Sequence, residues 1–552
     1  MPKILLPAEL DEISKGTEFI ETTLRKYRLK NKAVMEALLI SEESMVRTIR
    51  KAKAGAQMQI AIRYHYGTAD ITISAAGAPF EEEDVQIDLS AGDMGHDSEE
   101  MIRTILLRAF SDKMLYSRKG EYNFVKISIG ERERVFLIRT LTAMTAGLIA
   151  AGLILLFASE QAEAVLAEQI LIPIQTIYLN ALQLVTAPTV FFCILTNISK
   201  YASFSDPGRV SRKIIVGYLF TSVIAVLIGL TVFDICQPLM SAEGLLIPYV
   251  GRELTSIHTG NTILEMIVNI VPTNIISPFF YTDATQLLFI ALLGGIVLGG
   301  TGRYTKQLRE AADALDSFFS GIAGIVSSLI PTATFFTTIL SVIYFDFGAF
   351  TISAEVFALT ALGLIGMFLF YFLLVSISRL NPITFLRKYA PSVRSTFLGG
   401  SSIRAIPETM RVCEKKLGVS PMVYSFSIPF GAIGNMDGNC VYLTIVGLYM
   451  ARLCGADFLG HEWLTIIFVV VVLSVGSPIS SGSVMVAMTM LMNAMGASPV
   501  AISFIIGVNV LIEMMLTVCN TTGDVAITIA VARTEGLLNV DVYRAKDYQK
   551  KP

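Results

Sequence analysis

Charged residues are scarce in this sequence. Only 16% of its 552 residues are Asp, Glu, Lys or Arg, whereas 53% are hydrophobic. No long basic or acidic run occurs and the formal net charge is −3, so nothing indicates a nucleic-acid partner. Such a composition is too apolar for an ordinary soluble enzyme of this length. It is typical of a polytopic membrane protein.

Cysteine and histidine are few, and neither is clustered. The six Cys residues lie singly in apolar stretches without CxxC or paired spacing, and the four His residues are equally scattered. This pattern favours cysteine packing over disulfides or a metal site, and no nucleophile and base pattern supports an enzyme. The apolar run within residues 1–10 is too short for a signal peptide, so we expect the chain to start in the cytosol.

The long apolar runs all follow residue 135. A bilayer crossing takes about 20 residues, and runs of that length predict spans that begin near 136, 168, 211, 262, 318 and 352. The fourth is broken near Pro272 and resumes near 286. The loop Lys and Arg residues are concentrated at 117–139, 200–213 and 302–310, two spans apart each time. The positive-inside rule therefore places these loops on the cytoplasmic face.

Polar breaks interrupt the apolar runs after residue 388. A Ser-rich break is followed by an Asn/Asp/Gly break, and this order occurs twice: FLGGSSIRAIP (397–407), NMDGN (435–439), SVGSPISSGS (474–483) and NTTGD (520–524). An unpaired backbone polar group in hydrocarbon costs several kcal/mol, so such breaks persist only where they are buried or line a wet cavity. Re-entrant hairpins followed by unwound helices fit this constraint. The pattern indicates a secondary transporter with its site at the membrane midplane.

Asp437 and Asp524 lie within two of these breaks. An Asp at the bilayer centre costs ~2.5 to 3.5 kcal/mol on insertion scales, so each needs a compensating interaction. Either each Asp caps a helix fragment, or each is a cation ligand. Na⁺ is a hard cation that prefers oxygen ligands, and an unwound helix supplies carboxylate, amide and free carbonyl oxygens together. We therefore favour the cation sites.

From about residue 135 to 535 the chain resembles the dicarboxylate/amino acid:cation symporter family, the glutamate-transporter homologues. NMDG (435–438) carries the resemblance, joined by NTTGD and, in the family's order, by IVPTN (270–274), NPITFLRK (381–388) and PETMRV (407–412). The resemblance implies a polytopic all-α membrane protein with eight transmembrane helices and two re-entrant hairpins. It also implies a homotrimer, an elevator movement of a transport domain past a scaffold, and uptake driven by Na⁺.

The resemblance also assigns cation sites to this sequence. The first would be built from Asn435, Asp524, Asn520 and the carbonyl of Gly431, the second from Asp437, Tyr218, Thr221 and Ser222, and the third from Met436, Ser474, Val475 and Ser477. Tyr218, Thr221 and Ser222 alone would indicate ordinary helix packing, because Ser and Thr in spans often bond their own backbone. They are candidate cation ligands only in combination with Asp437.

The substrate site departs from the family pattern. The implied substrate residues are Ser401, Ser402, Arg404, Asn439, Glu513, Thr517 and Asn520. Acidic amino acid transporters of the family have Asp at position 513 and Arg at 516, whereas this chain has Glu513 and Leu516. Loss of a planar Arg fork argues against ordinary glutamate or aspartate recognition. The second hairpin is also about two residues shorter than the family's.

Arg404 replaces the Gly of the family's serine-rich hairpin tip. Its guanidinium could hold an anionic substrate from the side opposite to the missing Arg. Alternatively it pairs with Glu513 and leaves a pocket for a neutral ligand or for none. A third interpretation is that its long side chain extends to the membrane interface.

Residues 1–130 resemble the histidine-kinase-like ATPase fold of the anti-sigma-factor type. Two helices in 9–52, strands at 58–67 and 69–80 that end in GAPF, a helix at 99–110 and a strand pair in 111–129 give an α/β (α+β sandwich) soluble domain. Arg47 and Ala75 stand where the family has its Mg²⁺-binding Asn and its adenine-binding Asp, and no glycine-rich lid is evident in 91–100. Glu43 is retained, but a Glu on an amphipathic helix is usually solvated. No ATP binding is expected.

The sequence thus predicts a Na⁺-driven symporter for a small amino acid or related carboxylate in a bacterial-type inner membrane. The predicted domains are a cytosolic domain at 1–130, a membrane domain at 135–535 and a cytosolic tail at 536–552, with both termini cytoplasmic. Membrane lipid, the substrate, two further copies of the chain and a cytosolic partner of the N-terminal domain are the predicted partners. The alternative is a membrane sensor that binds a ligand without transport and signals through the N-terminal domain.

Overall fold

A computed structural model describes most of the chain. The described residues are 2–27, 31–53, 55–65, 68–80, 114–130, 132–202, 209–237, 240, 268–300, 304–345, 348–454, 463–475, 483–495 and 499–545. They form two compact units, Met1–Val135 and Phe136–Pro552.

The described residues of the first unit form a five-stranded antiparallel sheet and two α-helices. The order along the chain is β1 Lys3–Pro7, α1 Ile13–Lys26, α2 Asn31–Arg50, β2 Gln57–His65, β3 Thr68–Ala76, β4 Met114–Lys119 and β5 Tyr122–Gly130. The spatial order of the strands is β1-β2-β3-β5-β4.

Alternating residues of the central strands build the core of this unit. Ile60 pairs with Ile73, and Ile71 pairs with Ile127. These side chains are fully buried together with Ile20 of α1 and other helix residues. Strands with one buried and one polar face require this alternation, because successive side chains point to opposite faces.

The structure adds one strand to those that the sequence predicts. β1 pairs with β2 at the sheet edge, and its residues KILLP are mostly exposed, so they carry little periodic signal. The predicted helix at 99–110 and the lid segment at 91–100 lie outside the described residues.

The described part of the second unit is built from helices. They are α3 Arg132–Phe157, α4 Glu160–Leu166, α5 Ile172–Ala202, α6 Arg209–Cys236, α7 Ser277–Phe280, α8 Ala284–Gly299, α9 Thr305–Ser328, α10 Ile330–Phe345, α11 Gly348–Ile377, α12 Pro382–Gly399, α13 Ser402–Lys415, α14 Pro421–Gly434, α15 Asp437–Leu453, α16 Trp463–Val475, α17 Ser483–Ala494, α18 Ile506–Thr534 and α19 Val540–Arg544. A π-helical turn, Ala167–Leu171, joins α4 to α5.

Several of these helices are membrane-length. Within the described residues five are long and apolar enough to cross a bilayer, or six if the bent pair α9 and α10 forms one span. One of the five, at Glu160, and the bent pair, at Thr305, begin earlier than the predicted starts near 168 and 318. Their first turns carry charged residues, so the apolar signal starts inside the helix. The five are Val135–Phe157, Glu160–Ser199, Arg209–Cys236, Thr351–Ile377 and Ile506–Thr534.

The predicted polar breaks have different outcomes. The first is confirmed, because α12 ends before Gly400, whose φ of 55° is left-handed, and α13 begins at Ser402. The break at NMDGN is also confirmed, between α14 and α15. Most of the third break, residues 476–482, lies outside the described residues.

The prediction of an unwound segment at NTTGD is wrong. Helix α18 continues through residues 520–524 without interruption. Thr521 and Thr522 return their hydroxyl hydrogen bonds to the carbonyls of Thr517 and Val518, at 3.0 and 2.6 Å. Both threonine hydroxyls are therefore satisfied within the helix, and neither requires a break in the backbone.

Candidate cation and substrate sites

The break between α14 and α15 places Asp437 at a helix start. Pro429 lies inside α14 and cannot donate a backbone hydrogen bond, and the helix ends at Gly434. Asn435 and Met436 then adopt non-helical angles, φ −113°, ψ 87° and φ −112°, ψ 58°. Asp437 is the first residue of α15, where the helix dipole favours a negative charge.

Three hydroxyl groups surround the fully buried carboxylate of Asp437. Its Oδ1 accepts hydrogen bonds from Thr221 Oγ1 at 3.1 Å and from Ser222 Oγ at 3.2 Å, both on α6. Its Oδ2 accepts a hydrogen bond from the hydroxyl of Tyr371 on α11 at 2.7 Å. These contacts are to side chains of other helices, so the carboxylate does more than cap α15.

Asp524 lies near Asp437 and is equally buried. Asn435 Nδ2 donates to Asp524 Oδ1 at 3.0 Å, while Asn435 Oδ1 lies 3.1 Å from Thr221 Oγ1, whose single proton it shares with Asp437 Oδ1. The Asn435 amide therefore links the surroundings of the two acids. Tyr218 hydrogen-bonds the carbonyl of Ser427 at 2.8 Å, and its hydroxyl borders Gly431 rather than Asp437.

Gly431 lets α14 approach α18 closely. A Cβ atom at this position would lie 2.3 Å from Asp524 Oδ1 and 2.8 Å from the hydroxyl of Tyr218. No side chain fits in that space. The Cα of Gly431 therefore lies close to the Asp524 carboxylate, while its carbonyl accepts a hydrogen bond from the backbone N–H of Asn435 at 2.8 Å.

Asn520 joins α18 to the start of α15. Its Oδ1 accepts from the backbone N–H of Gly438 at 2.7 Å, and its Nδ2 donates to Asn439 Oδ1 at 3.3 Å. Asn439 in turn donates to the sulfur of Met436 at 3.3 Å. Three residues from separate predicted sites therefore form one connected polar group.

The two acids have neutral neighbours. Within the described residues, the contacts of both carboxylates are to hydroxyl, phenol and amide groups, and none of these contacts is an ion pair. Two buried carboxylates without a cation carry a large desolvation cost. Their carboxylate, hydroxyl and amide oxygens are the donors that a hard cation prefers, so the residues fit Na⁺.

Glu513 lies in a separate polar group between α15 and α18. Asn509 Nδ2 donates to Glu513 Oε1 at 2.9 Å, and the Tyr442 hydroxyl donates to Asn509 Oδ1 at 2.8 Å. Tyr178 on α5 is buried and interacts electrostatically with Glu513. Thr517 returns its hydrogen bond to the Glu513 carbonyl at 2.9 Å.

The remaining predicted residues lie on the broken helices. Ser401 precedes α13, and Ser402 and Arg404 lie in its first turn. Ser474 is buried near the end of α16 and donates to the Val471 carbonyl at 2.8 Å, and Val475 is the last residue of that helix. Ser477 lies outside the described residues.

Sequence reasoning missed four residues of these groups: Tyr178, Tyr371, Tyr442 and Asn509. Tyr371 stands in an apolar run, and the other three lie close to polar residues of their own helices, but no motif singles any of them out. Tyrosine in such a run usually contributes packing, so only the fold reveals which hydroxyls face a carboxylate.

Within the described residues, apolar membrane-length helices, a broken helix and two buried acids outside any ion pair are features of a polytopic membrane transporter. Comparison with protein families identifies the family of transporters. The model of the sodium:dicarboxylate symporter family matches residues 136–534, and the chain belongs to that family. The family consists of transporters, not enzymes.

Curated relatives support the same assignment. The C4-dicarboxylate transport protein of Bacillus subtilis (strain 168) is 27% identical over 376 residues, which cover 66% of this chain and 87% of the relative. Proteins of the same description from Bordetella avium and Stenotrophomonas maltophilia are 25% and 26% identical. Both also cover 66% of this chain, and 82% and 83% of their own lengths.

Proposed function

We propose that the protein is a Na⁺-coupled symporter that imports a small carboxylate, either a dicarboxylate or a related amino acid, by an elevator mechanism. The observation that carries this proposal is the pair of buried acids, Asp437 and Asp524, which are linked through Asn435 and form no ion pair with any described residue. Their charge has to be compensated within the membrane, and a cation from solution can do this. The relatives' description as C4-dicarboxylate transport proteins supports a carboxylate substrate.

The proposed cation ligands follow this geometry. Thr221 and Ser222 would share one cation with Asp437, and the Gly431 carbonyl would share another with Asp524. The cations would thereby draw α6, α14 and α18 together at the broken helix. Because Asn439 and Asn520 connect this region to the proposed ligand pocket, bound cations would raise ligand affinity, and ligand would raise cation affinity equally. The full proposed set is Tyr218, Thr221, Ser222, Gly431, Asn435, Met436, Asp437, Ser474, Val475, Ser477, Asn520 and Asp524.

The proposed substrate site combines two helix starts with α18. Ser401, Ser402 and Arg404 would contact the ligand from α13, Asn439 from α15, and Glu513, Thr517 and Asn520 from α18. Leu516 offers no charge for a carboxylate, so Arg404 is the proposed guanidinium partner of the substrate.

Arg404→Ala is expected to abolish binding of acidic ligands and to spare neutral ones. The reason is that Arg404 would supply the bidentate donor that a carboxylate needs. Ligand-induced shifts of the melting temperature measure the effect, with Arg411→Ala, an exposed residue of the same helix, as the control. Unchanged selectivity would exclude the role of Arg404.

The proposed architecture has eight spans, two re-entrant hairpins and three protomers in an inner membrane. Both termini and the 536–552 tail would be cytoplasmic, because the Lys- and Arg-rich loops are predicted there. Accessibility of single engineered cysteines to a membrane-impermeant reagent in intact cells tests the orientation, and labelling of residue 541 from outside would contradict it.

We propose that the N-terminal unit senses or docks a cytosolic partner instead of hydrolysing ATP. Arg47 forms an ion pair with Glu43 at 3.0 Å on α2, and Ala75 is fully buried on β3. The two residues that would bind Mg²⁺ and adenine in the resembled fold are therefore a paired cation and a core methyl group.

Titration of the full-length protein with ATP and Mg²⁺ should therefore show no saturable binding below millimolar nucleotide. Calorimetry or a fluorescent ATP analogue provides the measurement. Micromolar binding that Arg47→Ala weakens would contradict the proposal and favour an active nucleotide site.

The decisive test of function is a thermal-shift screen of the purified protein. The panel contains C4-dicarboxylates and amino acids, each in Na⁺ and in choline, because a ligand that binds only the folded state raises the melting temperature. A Na⁺-dependent hit supports the proposal. Uptake of that ligand into liposomes then separates a transporter from a sensor. The absence of any melting-temperature shift in both salts counts against Na⁺-coupled binding.

A further inference from the structure

Tyr371 contacts Asp437 from a helix that contributes none of the proposed cation ligands. It lies on α11 and has no exposed surface. Its hydroxyl donates to Asp437 Oδ2 at 2.7 Å and lies 3.8 Å from the sulfur of Cys519.

The hydroxyls around Asp437 bind its two carboxylate oxygens from two different helices. Thr221 and Ser222 occupy Oδ1, whereas Tyr371 occupies Oδ2. A carboxylate held at both oxygens cannot rotate freely about its Cβ–Cγ bond. Oδ1 is thereby fixed toward the oxygens of α6 and Asn435, and partners that orient a metal ligand in this way affect affinity.

The sequence provides the space that this contact needs. A Cβ atom at Gly523 would lie 2.5 Å from the Tyr371 hydroxyl and 2.9 Å from Asp437 Oδ2. Only glycine at this position of α18 leaves room for the phenol and the carboxylate together. The glycine of NTTGD thus has a steric role in a continuous helix.

We propose that Tyr371 is a positioning residue that orients the Asp437 carboxylate for cation binding. The proposal rests on the proposed function, because it requires that Asp437 binds the coupling cation. The phenol is a neutral donor, so it holds the carboxylate in place and leaves its negative charge for the cation.

A second tyrosine provides a matched control. Tyr449 on α15 donates to Glu355 Oε2 on α11 at 2.6 Å. The same two helices are thus joined by two phenol–carboxylate hydrogen bonds of opposite direction. Tyr449→Phe removes the same chemical group and a comparable bond, but away from the two linked acids.

The experiment compares the wild type, Tyr371→Phe and Tyr449→Phe in a Na⁺ titration of the melting temperature, with choline keeping ionic strength constant. Tyr371→Phe is expected to raise the half-saturating Na⁺ concentration about tenfold, because a charged hydrogen bond is lost at the site. Tyr449→Phe should change it less than twofold. Equal half-saturation in all three proteins, or equal shifts in both variants, would overturn the proposal.

Two features keep the outcome interpretable. If the wild type shows no Na⁺-dependent stabilisation, the proposed function fails first, and this result differs from a failure confined to Tyr371. If Tyr371→Phe does not fold, 3-fluorotyrosine at position 371 keeps the hydroxyl and reports on it by ¹⁹F NMR. Its ¹⁹F chemical shift should then change over the same Na⁺ concentrations as the melting temperature. A chemical shift that does not change with Na⁺ would refute the role.

Discussion

Asp437→Asn is expected to weaken Na⁺-dependent stabilisation by about 100-fold in half-saturating Na⁺, which corresponds to ~2.7 kcal/mol. The amide keeps the size of the side chain and one oxygen for Tyr371, but it removes the negative charge that a cation neutralises. The measurement is the Na⁺ titration of the melting temperature with and without a bound ligand. Ligand binding should weaken together with Na⁺ binding, because ligand and cation binding are coupled through the same helix break.

The same substitution should raise stability in choline. Without a cation the buried carboxylate is unfavourable, and a neutral amide relieves that cost. Asp541→Asn, at an exposed position on α19, is the control and should leave the melting temperature unchanged in both salts. Wild-type Na⁺ dependence in Asp437→Asn would remove Asp437 from the cation site.

The polar break at NMDGN could be predicted because several signals agree there. Pro429, Gly434 and two Asn residues disfavour helix at the same place where Asp437 needs polar partners. At NTTGD the signals conflict, since threonine and asparagine in a span also satisfy themselves by local hydrogen bonds. In the structure the two threonine hydroxyls bond within the helix, Asn520 bonds to α15, and Gly523 accommodates a neighbouring phenol rather than a break.

The partners of the acids were only partly predictable. Thr221 and Ser222 meet Asp437 as the family resemblance implies. Tyr371 carries no local sequence signal, because its role depends on which residue of another helix it faces. Asn509 lies four residues before Glu513 on the same helix, a spacing at which side chains can meet. Sequence periodicity predicts that a helix is apolar, but it cannot show which of its few hydroxyls will lie opposite a carboxylate.

Gly431→Ala is expected to destabilise the protein and to remove most Na⁺-dependent stabilisation. The new methyl group would lie 2.3 Å from Asp524 Oδ1, so either α14 or the carboxylate has to move. Overpacking of this kind costs about 1–3 kcal/mol, occasionally more. The carbonyl proposed as a cation ligand is retained, so the substitution tests the close approach of backbone and acid. Melting temperatures in Na⁺ and in choline provide the measurement.

Gly321→Ala on α9 separates this steric effect from the intrinsic effect of alanine. A Cβ atom there meets nothing within 4 Å, so alanine should stabilise the helix by roughly 0.5–1 kcal/mol. Because the same helix preference acts at position 431, any loss of stability in Gly431→Ala must come from contacts with Asp524 and Tyr218. A Gly431→Ala protein that gains stability like Gly321→Ala and keeps its Na⁺ dependence would show that Asp524 does not need this close backbone.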